Sequence, residues 1–259
     1  MEIYYESHGT GEPLVLIAGF ASGAWQWFKQ IDDLSRNFRV ITFDARGISR
    51  SKLDENETVS IKEIANDVCE ILDELEIEKA SILGTSFGGF VAQEFALRYP
   101  ERLNKLILAC TSFGGIKHVL PDNIEALSAF SSISNLNSLE RIRKFMIPAF
   151  TKDFAENHAN VIEQVCKLRE QNKVPESVYL QQLQAATTFD MQAKTLQILA
   201  ETLVVTGDKD QVVPMQNSIN LANMIPKAEL KIVENSGHLF FIEQAEKFNR
   251  IVKEFVKSM

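Results

Sequence analysis

The sequence predicts an α/β fold: a mostly parallel central sheet with helices on both faces and a helical insert. Three observations predict it. Short, strongly apolar runs recur along the 259-residue chain, most of them closed by Gly or Asp. Longer stretches with helical apolar spacing lie between them. The alternation then fails over one long central stretch that carries helical patterns and no convincing strand. Runs that are apolar throughout need cover on both faces, which a parallel sheet between two helical layers provides.

Taken in order, Ile3–Ser7 reads as an antiparallel edge strand, with Gly9-Thr-Gly11 as the turn back. The apolar runs follow: Leu14–Ile17 ending near Gly19, Arg39–Phe43 before Asp44, Ala80–Leu83 before Gly84, Leu103–Cys110, Thr202–Thr206 before Gly207, and Glu229–Val233. Helical patterns cover Trp25–Leu34, Ile61–Leu75, Phe87–Tyr99, Met215–Met224 and Ala245–Val256. Between Thr111 and Ala200 the helical patterns are Asn123–Ser131, Leu139–Ile147, Phe154–Glu170 and Ser177–Phe189. Pro121, Pro148 and Pro175 fall at their boundaries. That is more helix than one crossover needs. The expected organisation is therefore a core made of residues 1–112 and 199–259, with residues 113–198 as a helical cap above the strand ends.

Composition bounds the function. Apolar residues make up 45% and charged residues 24%, as in ordinary globular chains. The net charge is −8 and no Lys/Arg cluster stands out, so nucleic-acid binding is not expected. No run of apolar residues is long enough for a membrane span, and the N-terminus does not resemble a signal peptide. Three scattered cysteines, Cys69, Cys110 and Cys166, fit neither a metal cluster nor a disulfide framework and suit a reducing compartment. The expectation from composition is a cytoplasmic protein.

The chemistry starts at Gly84-Thr-Ser86-Phe-Gly88-Gly89, which joins an apolar strand run to a helical pattern. A serine on such a turn projects its hydroxyl at the carboxyl end of the sheet, beside the free N–H groups of a helix start. The five-residue pattern alone arises by chance in about one chain in ten of this length. The strand–turn–helix context is what gives it weight.

Serine needs a base to take its proton. The chain has four histidines, and His238 is the one that follows the last strand run, on the same sheet edge as Ser86. His8 precedes the whole constellation, and His118 and His158 fall in the insert. The base in turn needs an acid to fix its tautomer. Two candidates follow the Thr202–Thr206 run: Asp208 at the strand end, and Asp210 two residues further along the loop. The other of the pair serves as a turn residue. Two N–H donors should face the developing oxyanion. Phe87, after the serine, and Phe20, in the loop after Leu14–Ile17, are the candidates.

Five segments carry a family resemblance: Leu16-Ile-Ala-Gly-Phe20, Phe43-Asp-Ala-Arg-Gly47, Gly84-Thr-Ser-Phe-Gly-Gly89, Gly207-Asp-Lys-Asp-Gln-Val-Val-Pro214 and Gly237-His238. In this order they resemble the α/β-hydrolase superfamily over essentially the whole chain. The similarity is to its small, cofactor-free bacterial serine hydrolases: enol-lactonases, carboxylesterases, C–C bond hydrolases and perhydrolases. The resemblance implies Ser86, Asp210 and His238 as catalytic triad, Phe20 and Phe87 as oxyanion hole, and Asp44 and Arg46 as a structural turn. It implies cleavage of an ester or lactone of a small, largely apolar substrate molecule through an acyl-enzyme, with no metal and no cofactor. The same triad also serves C–C hydrolases or lyases, and the same fold serves ligand sensors.

Trp25, Phe113, Phe145 and Phe240 are expected on the pocket wall, with Trp27, Phe130, Phe150 and Phe189 as further candidates. Three departures from the family pattern stand out. Ala18 replaces a common His, Phe87 a common Met or Gln, and Ser49 a common Gly. Phe87 is expected to narrow the pocket, and Ser49 is expected to be strained if its φ is positive. The dehalogenase branch of the superfamily has Asp where this chain has Ser86, so that reaction is not expected.

Overall fold

The computed structural model describes residues 2–122 and 135–258. Its strands are β1 (Tyr5–His8), β2 (Glu12–Ile17), β3 (Phe38–Phe43), β4 (Ala80–Thr85), β5 (Leu103–Ala109), β6 (Thr202–Gly207) and β7 (Ala228–Val233). They form one sheet in the order β1-β3-β2-β4-β5-β6-β7. The β1 strand is antiparallel and every other pairing is parallel. Every residue of β4 and β6 is buried, as cover on both faces requires. The turn at Gly9 does not make a hairpin: it carries the chain past β3, which pairs with both β1 and β2.

The helices are α1 (Ile31–Leu34), α2 (Ile61–Glu74), α3 (Phe87–Arg98), α4 (Leu139–Met146), α5 (Lys152–Asn157), α6 (Ala159–Gln171), α7 (Glu176–Thr188), α8 (Met215–Met224), α9 (Phe240–Glu243) and α10 (Ala245–Lys257). Alternate residues of β2 feed opposite layers. Val15 and Ile17 join Ile64 and Val68 of α2 and Phe95 of α3. Leu14 and Leu16 join Leu34 of α1 and Phe248 and Val252 of α10. Ser60 caps the start of α2: its hydroxyl accepts from the Glu63 N–H at 3.1 Å.

Two expected helices are broken. Trp25–Leu34 is a 3-10 turn over Ala24–Trp27 followed by the short α1. Between them the Gln30 amide donates to the Phe241 carbonyl at 2.6 Å, anchoring the bend to α9. The Phe154–Glu170 pattern is divided at His158, whose backbone leaves the helical region while its ring stacks on Phe154 at 4.2 Å. The expected Asn123–Ser131 helix lies outside the described residues. No helix among the described residues is long and apolar enough to cross a membrane.

The Asp44–Gly47 turn is a knot of charges. Asp44 accepts the Ala24 N–H at 2.8 Å and the Arg50 Nε at 2.7 Å. Arg46 grips buried Asp67 of α2 with two bonds, at 2.8 and 2.5 Å, and donates to the Thr58 and Glu63 carbonyls. Ser49 does adopt a positive φ, 49°, so the departure from glycine carries strain. Its hydroxyl donates to Asn172 at 2.6 Å, a bond to the insert that glycine could not make.

Arg46→Leu leaves the Asp67 carboxylate buried without its cation. It is expected to cost about 3 kcal/mol or more, read as a lowered urea midpoint. The Arg46→Leu/Asp67→Leu double variant should recover most of it. A single variant within about 1 kcal/mol of wild type would show that the pair contributes little.

Candidate active site

Ser86 stands between β4 and α3 with φ 52° and ψ −117°, a conformation in which an L-residue is strained. Three bonds hold it there. Its N–H donates to the Ala109 carbonyl, and its own carbonyl accepts from Gly89 N–H and from the Thr111 hydroxyl, all at 2.8–2.9 Å. The close approaches around it demand glycine. A Cβ on Gly84 would lie 2.2 Å from the Gly88 carbonyl oxygen, and one on Gly88 would lie 2.3 Å from that of Ile17. The Ser86 hydroxyl has no hydrogen-bond partner among the described residues.

His238 sits in the loop between β7 and α9, with its ring almost fully buried. Its Nδ1 lies 2.7 Å from Asp210 Oδ2. A carboxylate only accepts, so Nδ1 is the donor of this bond and Nε2 is the ring nitrogen left to accept a proton. The other Asp210 oxygen accepts the Val212 and Val213 N–H groups, both at 2.8 Å. Asp208 does something else: it accepts the Ser236 N–H at 3.1 Å and ties the two loops together. Of the two acids left open by the sequence, Asp210 is thus the one that meets His238.

Glu243 is a third carboxylate here that no sequence pattern marked. Its oxygens accept the Gly237 N–H at 2.7 Å and the Thr151 N–H at 2.5 Å. Burial pushes its carboxyl above the ordinary value, and the two backbone bonds pull the other way. It locks the segment before His238 to the insert.

Ser86 and His238 line one cavity, with about 570 Å3 of empty space including its mouth. Phe20, Trp25, Phe145, Met146, Phe241 and Ile242 form most of its apolar wall. Trp25 and Phe145, two of the expected wall residues, line this cavity. Two others do not. Phe240 is fully buried against Phe248, because adjacent residues of α9 point about 100° apart and Phe241 takes the cavity side. Phe113 packs in the core with the α2 and α3 side chains. The Phe87 side chain also turns inward, beside Phe43, Ile64 and Val91, and does not narrow this cavity. Trp27 and Phe150 are core residues, Phe189 stacks on Phe90 at 4.2 Å, and Phe130 lies outside the described residues.

Cys110 reaches the cavity too. Burial, with Asp210 nearby, pushes its thiol well above the ordinary value, so it stays protonated and is no rival nucleophile. No Lys or Arg lines the cavity. The undescribed segment 123–134 contains neither residue type in its sequence. Among the described residues, no cluster of His, Cys, Asp and Glu can hold a metal ion.

Phe87 N–H opens α3 and makes no backbone hydrogen bond among the described residues. Phe20 follows Gly19 at the cavity rim, on a loop held by side chains. Gln26 accepts the Gly19 N–H at 3.1 Å and donates to the Thr85 hydroxyl at 2.8 Å. A hydroxyl, an oriented imidazole and helix-start N–H groups around one largely apolar pocket can perform acyl transfer.

Comparison with known proteins gives the class first. A model of the alpha/beta hydrolase fold matches residues 12–245, and the chain belongs to that family. Within it, the chain is 30% identical to a 2-hydroxy-6-oxononadienedioate/2-hydroxy-6-oxononatrienedioate hydrolase of Burkholderia vietnamiensis, over 99% of this chain and 91% of that protein. Among solved structures it is similar to a meta-cleavage product hydrolase from Pseudomonas fluorescens, with 30% identity, a TM-score of 0.83, and coverage of 98% and 93% of the two chains. A thermophilic esterase from Thermogutta terrifontis gives 27% identity, a TM-score of 0.81, and 98% and 93% coverage.

Gly84→Ala should force β4 and α3 apart and cost about 1–3 kcal/mol, seen as a melting temperature lowered by several degrees. Melting at the wild-type temperature would show that the turn relaxes around a methyl group.

Proposed function

We propose that the chain is a serine hydrolase that cleaves an ester or lactone of a small, largely apolar substrate. Ser86 attacks the carbonyl while His238 Nε2 takes its proton, and Asp210 stabilises the imidazolium that forms. The Phe20 and Phe87 N–H groups stabilise the oxyanion. His238 then protonates the leaving oxygen, and water cleaves the acyl-enzyme by the same steps. Residues 113–198 form the cap that roofs the pocket. The observation that carries this reading is Ser86 beside an Asp210-oriented His238 at one apolar cavity. A wall without Lys or Arg favours an uncharged acyl group, because a buried carboxylate needs a cation.

A second reading is hydrolysis of a C–C bond by the same triad. The similarity to the Burkholderia vietnamiensis and Pseudomonas fluorescens hydrolases favours it. Arg169 of α6 gives this reading no support, because it does not line the cavity. It is buried, bonds the Asn172 carbonyl at 2.9 Å, and has no carboxylate partner among the described residues. Burial pulls its pKa down to about 10, which still leaves it charged at neutral pH.

A panel of p-nitrophenyl esters and lactones of graded acyl length, run beside a 2-hydroxy-6-oxo-dienoate, separates the two. Turnover of neutral esters with none of the dienoate supports the first reading; the reverse supports the second. Ser86→Ala should lower kcat by at least about 10³-fold on the preferred substrate, with the melting temperature nearly unchanged. Full activity in that variant would sink both.

A further inference from the structure

The Phe20 loop is gripped from the insert. Ala21, which follows Phe20, has a positive φ of 51°. Its N–H donates to Gln182 Oε1 at 2.8 Å, from a residue 161 positions further along the chain. Gln182 belongs to α7 and is 1% exposed. Three residues earlier, and so on the same face of α7, Tyr179 sets its ring edge-to-face against the Phe20 ring at 4.7 Å.

We propose that Gln182 is a positioning residue for the oxyanion hole. This rests on the ester or lactone hydrolase reading above. The Phe20 N–H is useful only if it points where the oxyanion forms. The amide groups on both sides of it are pinned: Gly19 N–H by Gln26, within the loop, and Ala21 N–H by Gln182, from the insert. Without the Gln182 acceptor the Ala21 N–H is left buried and unpaired. The strained Ala21 turn then relaxes toward another acceptor and swings the Phe20 amide with it. Gln182 touches no reacting atom. Its effect is on the developing negative charge, so it lies in kcat more than in KM.

The adjacent residue supplies the control. Gln181 accepts the Val59 N–H at 2.8 Å. It ties the same helix to the core, away from Phe20. The test compares Gln182→Leu, Gln182→Glu and Gln181→Leu in the full-length protein, on the best ester of the panel, with melting temperatures measured for each. Gln182→Leu should lower kcat about 10- to 100-fold with KM within about threefold of wild type. Gln182→Glu keeps an acceptor oxygen and, buried without a cation, is held as the neutral acid, so it should recover most of the kcat lost in Gln182→Leu. Gln181→Leu should lose stability and leave kcat unchanged. If Gln182→Leu does not fold, Gln182→Asn replaces it; it is too short for the bond, and the same drop is expected. The proposal is overturned if kcat survives loss of the acceptor, if Gln182→Glu is as impaired as Gln182→Leu, or if Gln181→Leu lowers kcat equally. Failure of the hydrolase reading looks different: it shows as full activity in Ser86→Ala, whatever the Gln182 variants do.

Discussion

The turn that carries Ser86 sets the terms for the rest of the molecule. Its backbone is strained, and strain of about 1–3 kcal/mol persists only where the surroundings over-determine it. Here β2, β4 and α3 crowd so closely that Gly84 and Gly88 have no room for a side chain. The strand order then places the other parts. The β2 and β4 strands are neighbours, so the Phe20 loop opens beside Ser86. The β6 and β7 strands are neighbours, so the loops bearing Asp210 and His238 meet. Parallel strands bring all four segments out at one edge of the sheet, and a residue at any of those ends needs only a short loop to reach the others.

Polar contacts from residues 113–198 reach the Phe20 loop, the segment before His238 and the turn after β3. Gln182 accepts from Ala21, Glu243 bridges Gly237 to Thr151, and Ser49 donates to Asn172. These groups are half-buried or buried, where an unmade hydrogen bond costs more than a made one contributes. Displacing the helices of the insert therefore strands several donors and acceptors at once. The apolar wall adds to this coupling, since Phe145, Met146 and Ala149 of the insert share it with Phe20 and Phe241. Low dielectric in such a pocket strengthens the pull of Asp210 on a protonated His238, and the two valine N–H groups keep that carboxylate in place.

Much of this was legible in the amino-acid sequence. Apolar runs marked six of the seven strands; in β4 and β6 burial on both faces leaves no exposed position to blur them, whereas the edge strand β7 is largely exposed and keeps Glu229 and Lys231. The order of Ser86, Asp210 and His238, each just past a strand run, marked one sheet edge. Other features were not legible. The break at Gln30 depends on the Phe241 carbonyl, far along the chain. Gln182 and Glu243 left no pattern, because each serves a backbone N–H that any residue type could offer.

The phenylalanines draw the line most sharply. The sequence, with 17 phenylalanines, could say only that most of them are core, and it placed Phe240 on the pocket wall. Only the tertiary structure decided that Phe241 faces the cavity and Phe240 the core, because that depends on the rotation of one short helix against α10. The same division holds at the candidate site. The sequence alone determined the strand-to-helix serine and the residues able to activate it, because those follow from local backbone rules. By local rules alone it left both Asp208 and Asp210 as candidates, with the family pattern pointing to Asp210, and it gave no sign of what holds the Phe20 loop. The acid–histidine bond and the hold on that loop are through-space contacts, and they exist only once strands and helices distant in the chain have packed together.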